Sequence, residues 1–68
     1  MGEYKMVVLK RKKDIYTVPA GKTLEQALRN LGILPETVLA VREGKLVPLW
    51  HRLQEGEELQ LLDVISGG

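Results

Sequence analysis

The sequence closes on Ile65-Ser66-Gly67-Gly68, the stretch whose residue types and position point most directly to chemistry. A diglycine packs no side chain and pays the largest backbone entropy on ordering, so it suits a backbone that must pass close to another surface where a Cβ would obstruct it. The group such a tail would deliver is the α-carboxylate of Gly68. A carboxylate is a resonance-stabilised anion with a poor leaving group, so transfer to its carbon needs prior activation, for instance as an acyl-adenylate made from ATP. A persulfide or sulfide attacking the activated carbon would give a C-terminal thiocarboxylate, whose soft sulfur is a better nucleophile than a carboxylate oxygen. Fully extended, Ile65 to Gly68 would reach about 13 to 14 Å into a partner.

The other residues able to do chemistry stand alone. The chain has no cysteine, hence no disulfide, thiolate ligand or cysteine nucleophile. His51 is the only histidine and has no second histidine to complete a zinc site, so it reads as a surface or partly buried structural residue and no metal is expected. Ala20-Gly21-Lys22-Thr23 looks like the end of a phosphate-binding loop, but that motif needs a glycine five residues before Gly21, where this chain has Tyr16; the stretch reads as a turn and a helix cap. Lys10-Arg11-Lys12-Lys13 has no interleaved aromatics and sits in an expected turn, so solvated charge is the reading and no direct nucleic-acid contact is expected. Trp50, beside a turn, reads as a lid on a small core. With no nucleophile and base paired, an enzyme is the least expected class.

The elements that would position the tail follow from periodicity. Tyr4 to Lys10 and Asp14 to Val18 read as strands joined in a hairpin, with Pro19 and Gly21 stopping the sheet. Leu24, Ala27, Leu28 and Leu31 fall at i, i+3, i+4 and i+7, one apolar stripe of an amphipathic helix of about three turns. Thr23 with Gln26 fits a capping box, Gly32 before Ile33 a left-handed exit, and Pro35 prevents resumption. Thr37 to Arg42 reads as a third strand, Glu43-Gly44-Lys45 as a tight turn, and Lys45 to Leu49 as a short fourth strand pushed to an edge by Pro48. The segment Trp50 to Glu58 should cross back over the surface and turn at Gly56 into a fifth strand, Glu58 to Val64. Alternation there places Leu59, Leu61 and Asp63 on one side and Gln60, Leu62 and Val64 on the other, with Leu59 and Leu61 in the core and Leu62 and Val64 left as candidate partner-docking residues.

One helix must lie across one face of a mixed sheet to bury both, so the fold class is α+β, with four or five strands. Residues 1–64 form a single domain and residues 65–68 a flexible diglycine tail. Gly21, Gly32, Gly44 and Gly56 all have turns or caps to make, and Gly67 and Gly68 have no structural task.

Hairpin, helix, further strands and a Gly-Gly terminus, carried by "LPETVLAVREGKLVPL" and "LQEGEELQLLDVISGG", resemble the β-grasp or ubiquitin-like fold over the whole chain, and more closely its ThiS/MoaD-like sulfur-carrier branch. Glu55-Gly56-Glu57 stands where many members have Asp-Gly-Asp, a departure that keeps the turn glycine. The resemblance implies a sulfur carrier, not an enzyme, adenylated at Gly68 by an E1-like (ThiF/MoeB-type) enzyme, with Ile65, Ser66 and Gly67 entering that partner's active site. The chain itself would bind no cofactor, ATP being used by the partner. Further partners implied are a sulfur donor such as a cysteine desulfurase or rhodanese, and a sulfur-accepting synthase or tRNA thiolase. The wording is most similar to tRNA 2-thiouridine carriers of thermophiles; carriers for thiamine or molybdopterin synthesis are the alternatives, as is a ubiquitin-like modifier conjugated to lysines through Gly68.

At 68 residues, 44% hydrophobic and 28% charged, the chain has the balance of an ordinary soluble globule. It holds no apolar run near the roughly 18 residues of a membrane helix and no signal-peptide pattern at its start, so a cytoplasmic location is expected. The net charge of +1 hides an asymmetry: seven Lys/Arg against three Asp/Glu in residues 1–34, and three against six in residues 35–68. Such a dipole could orient an encounter with a basic partner surface.

Overall fold

Alternating apolar and polar residues build the sheet, and a short helix closes its inner face. The computed structural model describes residues 6–64. Strand β1 (Met6–Arg11) turns through Lys12 and Lys13 into β2 (Asp14–Pro19), then comes α1 (Leu24–Asn30), a 3₁₀ turn (Pro35–Thr37), β3 (Val38–Arg42), β4 (Lys45–Val47) and β5 (Glu58–Asp63). The five strands form one mixed sheet in the order β2-β1-β5-β3-β4. Only β1 and β5 run parallel, with Leu9 beside Leu59 and Arg11 beside Leu61; the other pairs are antiparallel. This is the expected α+β architecture, with five strands among the described residues.

Val7 and Leu9 of β1, Val18 of β2, Ala40 of β3 and Leu59 and Leu61 of β5 form one buried cluster with Leu24, Ala27 and Leu28 of α1. Each fully buried leucine of this set is worth about 1.5–3 kcal/mol relative to exposure. The helix is seven residues, two turns instead of the expected three, and Leu31 is its half-buried cap. The exit signal acts early: Gly32 takes φ +79, its N–H bonds to Arg29 O at 3.0 Å, and the Ile33 N–H bonds to Leu28 O at 2.9 Å, a Schellman closure that buries Ile33. The capping box is present, Gln26 N–H donating to Thr23 Oγ1 at 3.2 Å while Thr23 N–H donates to Gln26 Oε1.

The crossing segment departs most from expectation. It does not merely run over the surface. Gly21 N–H and Leu53 O, and Leu53 N–H and Lys22 O, bond at 2.8 Å each, while the first helical N–H groups, those of Leu24 and Glu25, donate to His51 O and Leu49 O. These carbonyls cap α1, and β4 ends at Val47, just before Pro48, and does not reach Leu49 as expected. Leu53 is buried in the core, whereas Trp50 is 77% exposed. Trp50 is therefore not the lid expected of it; Leu53, held inward by its two backbone bonds, fills that place. Pro19 is the last residue of β2, opposite Met6, where an edge strand tolerates its missing N–H. Glu43 and Gly44 both take positive φ in the β3–β4 turn, the twist that suits a two-residue hairpin. Among the described residues no helix is long and apolar enough to cross a membrane.

Candidate functional site at the end of the last strand

The parallel pairing of β1 with β5 brings the basic β1–β2 turn beside the end of β5, where the chain leaves the sheet. Arg11 Nε and Nη2 donate to Asp63 Oδ1 at 2.9 and 2.8 Å, and Lys12 Nζ lies 3.0 Å from Oδ2. Lys12 and then Arg11 hold the Asp63 carboxyl below its ordinary value, and the bond to Asp63 raises Arg11. Lys10 pairs with Glu58. The run Lys10 to Lys12 is thus engaged with β5 carboxylates, where the sequence reading expected solvated charge in a turn, and Lys10 and Arg11 belong to β1. A signal existed: alternation put the charged Asp63 on the core side, and a carboxylate on an inward face calls for countercharge. One residue on, Val64 N–H donates to Thr37 O at 2.9 Å.

On the opposite face, Leu62 sits directly across from Leu39 and Val41 across from Leu46. Leu62 and Val64 are 42% and 40% exposed, and Leu39 and Leu46 are exposed beside them. The two residues expected to face a partner therefore lie in a larger apolar strip that also includes Leu39 and Leu46, which sequence reasoning passed over because it did not pair the strands. Ile65, Ser66, Gly67 and Gly68 lie outside the described residues.

The remaining candidates resolve into structure. His51 Nε2 is 3.1 Å from both oxygens of Glu57, a buried carboxylate that also accepts from Gln54 N–H at 2.7 Å and pairs with Arg42. Burial pushes the Glu57 carboxyl up, but the Gln54 N–H, the His51 bond and the charges of His51 and Arg42 outweigh it and hold the group below its ordinary value. Among the described residues no group of three or more His, Cys, Asp or Glu is placed to hold a metal. The Ala20–Thr23 loop cradles nothing, since the N–H groups of Gly21, Thr23, Leu24 and Glu25 are all taken by protein oxygens.

A family model described as the ThiS family matches residues 6–68. The chain belongs to the ThiS family. Members of this family are small protein carriers and not catalysts, in accord with the absence of an enzyme reading in the sequence. Among similar proteins, the sulfur carrier protein TtuB of Thermus thermophilus is 38% identical over 60 residues, 88% of this chain and 91% of that protein. An uncharacterised protein of Archaeoglobus fulgidus is 38% identical over 56 residues, 82% of each. The solution structure of the N-terminal ubiquitin-like domain in the 4931431F19Rik protein superposes with a TM-score of 0.68 at 13% identity, covering 100% of this chain and 82% of that one, which establishes the ubiquitin-like fold of this ThiS-family chain.

Proposed function

We propose that this ThiS-family chain is a sulfur carrier that works through its C-terminal glycine. The observation that carries the reading is the 38% identity to the sulfur carrier protein TtuB across nearly all of both chains. In this reading an E1-like enzyme of the ThiF/MoeB type binds ATP and forms the Gly68 acyl-adenylate, releasing pyrophosphate. Bisulfide displaces AMP to leave the thiocarboxylate; a persulfide donor displaces AMP through its outer sulfur to give an acyl disulfide, and a thiol then attacks the donor's own sulfur, leaving with it as a disulfide while the outer sulfur stays on Gly68 as the thiocarboxylate. Gly68 is the reacting residue, and Ile65, Ser66 and Gly67 are the part of the chain that the partner's channel receives. Leu62 and Val64 dock on that partner, together with Leu39. ATP belongs to the partner, and this chain binds no cofactor of its own. Transfer of the sulfur to tRNA is the preferred destination, because the sequence wording is most similar to that of tRNA 2-thiouridine carriers, and the chain acts in the cytoplasm.

The experiment is to incubate the chain with a ThiF/MoeB-type enzyme, ATP and a persulfide donor, and to read the intact mass. Exchange of one oxygen for one sulfur is expected. Deleting Gly68 abolishes it by moving the reacting carbon, and Gly67→Val impairs it by placing a branched side chain where the backbone must pass. A chain that never gains sulfur and is recovered linked to lysines would overturn the carrier reading in favour of a protein modifier.

A further inference from the structure

We infer that Arg11 and Lys12 are positioning residues for the carrier's tail: by gripping the carboxylate of Asp63 they fix the direction in which the chain leaves the sheet. The inference rests on the carrier reading above and adds to it a role for the β1–β2 turn.

Asp63 is the last residue of β5, two positions before Ile65. Its two oxygens are held by different residues, Oδ1 by the Arg11 guanidinium and Oδ2 by the Lys12 ammonium, so the carboxylate plane is fixed from two directions. From the opposite side the Val64 N–H is tied to Thr37 O at 2.9 Å. The chain is thus held on both flanks at the point of departure, by the β1–β2 turn and by the start of β3. Lys12 reaches Asp63 from a backbone with φ +51, a left-handed conformation that a bulky residue adopts at a penalty and that glycine or asparagine would take more readily. A lysine in that place gives the turn an ammonium group at the tail root. The Lys12 side chain is largely exposed, so its pair with Asp63 contributes little to stability, whereas the Arg11–Asp63 pair is part-buried. β5 is already held in the sheet by ladders to β1 and β3, so the fold has little need of the grip.

What the grip provides is pre-organisation. A tail that enters a narrow channel must give up the conformations it samples when free, and every residue already directed lessens that loss on binding. Releasing the root would free only part of one residue's backbone freedom, which weakens capture about three- to tenfold while the chemistry after capture proceeds as before. The effect therefore belongs in KM for the carrier and not in kcat.

The test is carrier-dependent ATP–pyrophosphate exchange with a ThiF/MoeB-type adenylating enzyme, alongside hydrogen exchange of the Val64 amide. Asp63→Asn keeps the shape of the side chain but turns an uncharged amide toward Lys12, and Arg11→Met keeps an unbranched apolar stem without the charge. Both should raise KM about three- to tenfold with kcat within about twofold of the native chain, and speed exchange at Val64, and Arg11→Lys should recover part of the loss. Asp63→Asn separates a grip from direct contact, since it leaves both cations in place for a partner. A KM that is unchanged or lower in Asp63→Asn would overturn the inference and assign Arg11 and Lys12 to the partner interface. A native chain that supports no exchange would overturn the carrier reading itself.

Discussion

Glu57→Ala measures how the crossing between β4 and β5 is held. The substitution leaves the Gln54 N–H, now donating to a carboxylate at 2.7 Å, without its acceptor. A bond of that charged kind is worth about 1.5–3 kcal/mol. Arg42 adds at most about 1 kcal/mol, because its side chain is half exposed and solvent screens the pair. His51, itself partly exposed, can turn to water. Against these stands the relief of no longer burying a carboxylate, so the net loss should be about 2–3 kcal/mol. That is a large share of the roughly 3–10 kcal/mol available to a domain of this size, and it should lower the thermal midpoint by roughly 10–20 °C. Circular dichroism melts and urea titrations at neutral pH read it. Glu57→Gln keeps an acceptor for Gln54 and loses the charge, and about half the loss is expected. The pH dependence has a definite sign. Because the folded-state carboxyl is held below its ordinary value, its contribution is present above the unfolded-state value and is lost as pH falls through the folded one. The gap between the native chain and Glu57→Gln should therefore hold steady down to the ordinary carboxylate range and close below it. A loss under about 0.5 kcal/mol in Glu57→Ala, or a gap that widens toward acid, would refute the account of this network.

Two further outcomes are expected. Leu28→Ala, at a fully buried position of α1, should lower stability by about 2–5 kcal/mol in urea titration, the spread depending on how far the site can collapse; a change below about 0.5 kcal/mol would mean that α1 does not seal the sheet. Leu62→Asp with Val64→Asp should leave the thermal midpoint nearly unchanged, because both residues are exposed, while weakening capture by the adenylating enzyme at least tenfold through unpaired charge in an apolar contact.

The parts of the molecule governed by local rules were legible in the sequence. The cap at Thr23, the Gly32 exit, the Glu43-Gly44 turn and the in-out alternation of Leu59 to Leu62 each depend on neighbours within a few positions, and each is found where it was expected. What depended on distant pairing was not legible. Leu53 and Trp50 are three positions apart in a segment without periodicity, and only the backbone bonds of Leu53 to Gly21 and Lys22 decide which of them turns inward. The grip on Asp63 spans 52 positions and exists because β1 lies parallel to β5, a choice of strand order that hydrophobic pattern leaves open. Leu39 joins Leu62 for the same reason. The length of α1 is hidden because Leu31 continues the apolar stripe while Gly32 has already ended the helical backbone.

The place of β5 in the sheet also bears on when the molecule comes into being. Among the described residues it is the last strand in sequence, and it lies at the middle of the sheet between β1 and β3. Its pairing with β1 closes a loop of about fifty residues, and long-range closures of that kind slow folding. During synthesis β1 and β2 can form their hairpin early, as can β3 and β4, but the two hairpins have no common sheet until β5 arrives to join them. A growing chain that stops short of β5 leaves both halves with open edges, where a quality-control protease or chaperone can act. The strand that completes the fold is the strand that leads into Ile65-Ser66-Gly67-Gly68. In a newly made chain, the strand that joins the two hairpins and the residues that follow it in sequence therefore emerge together.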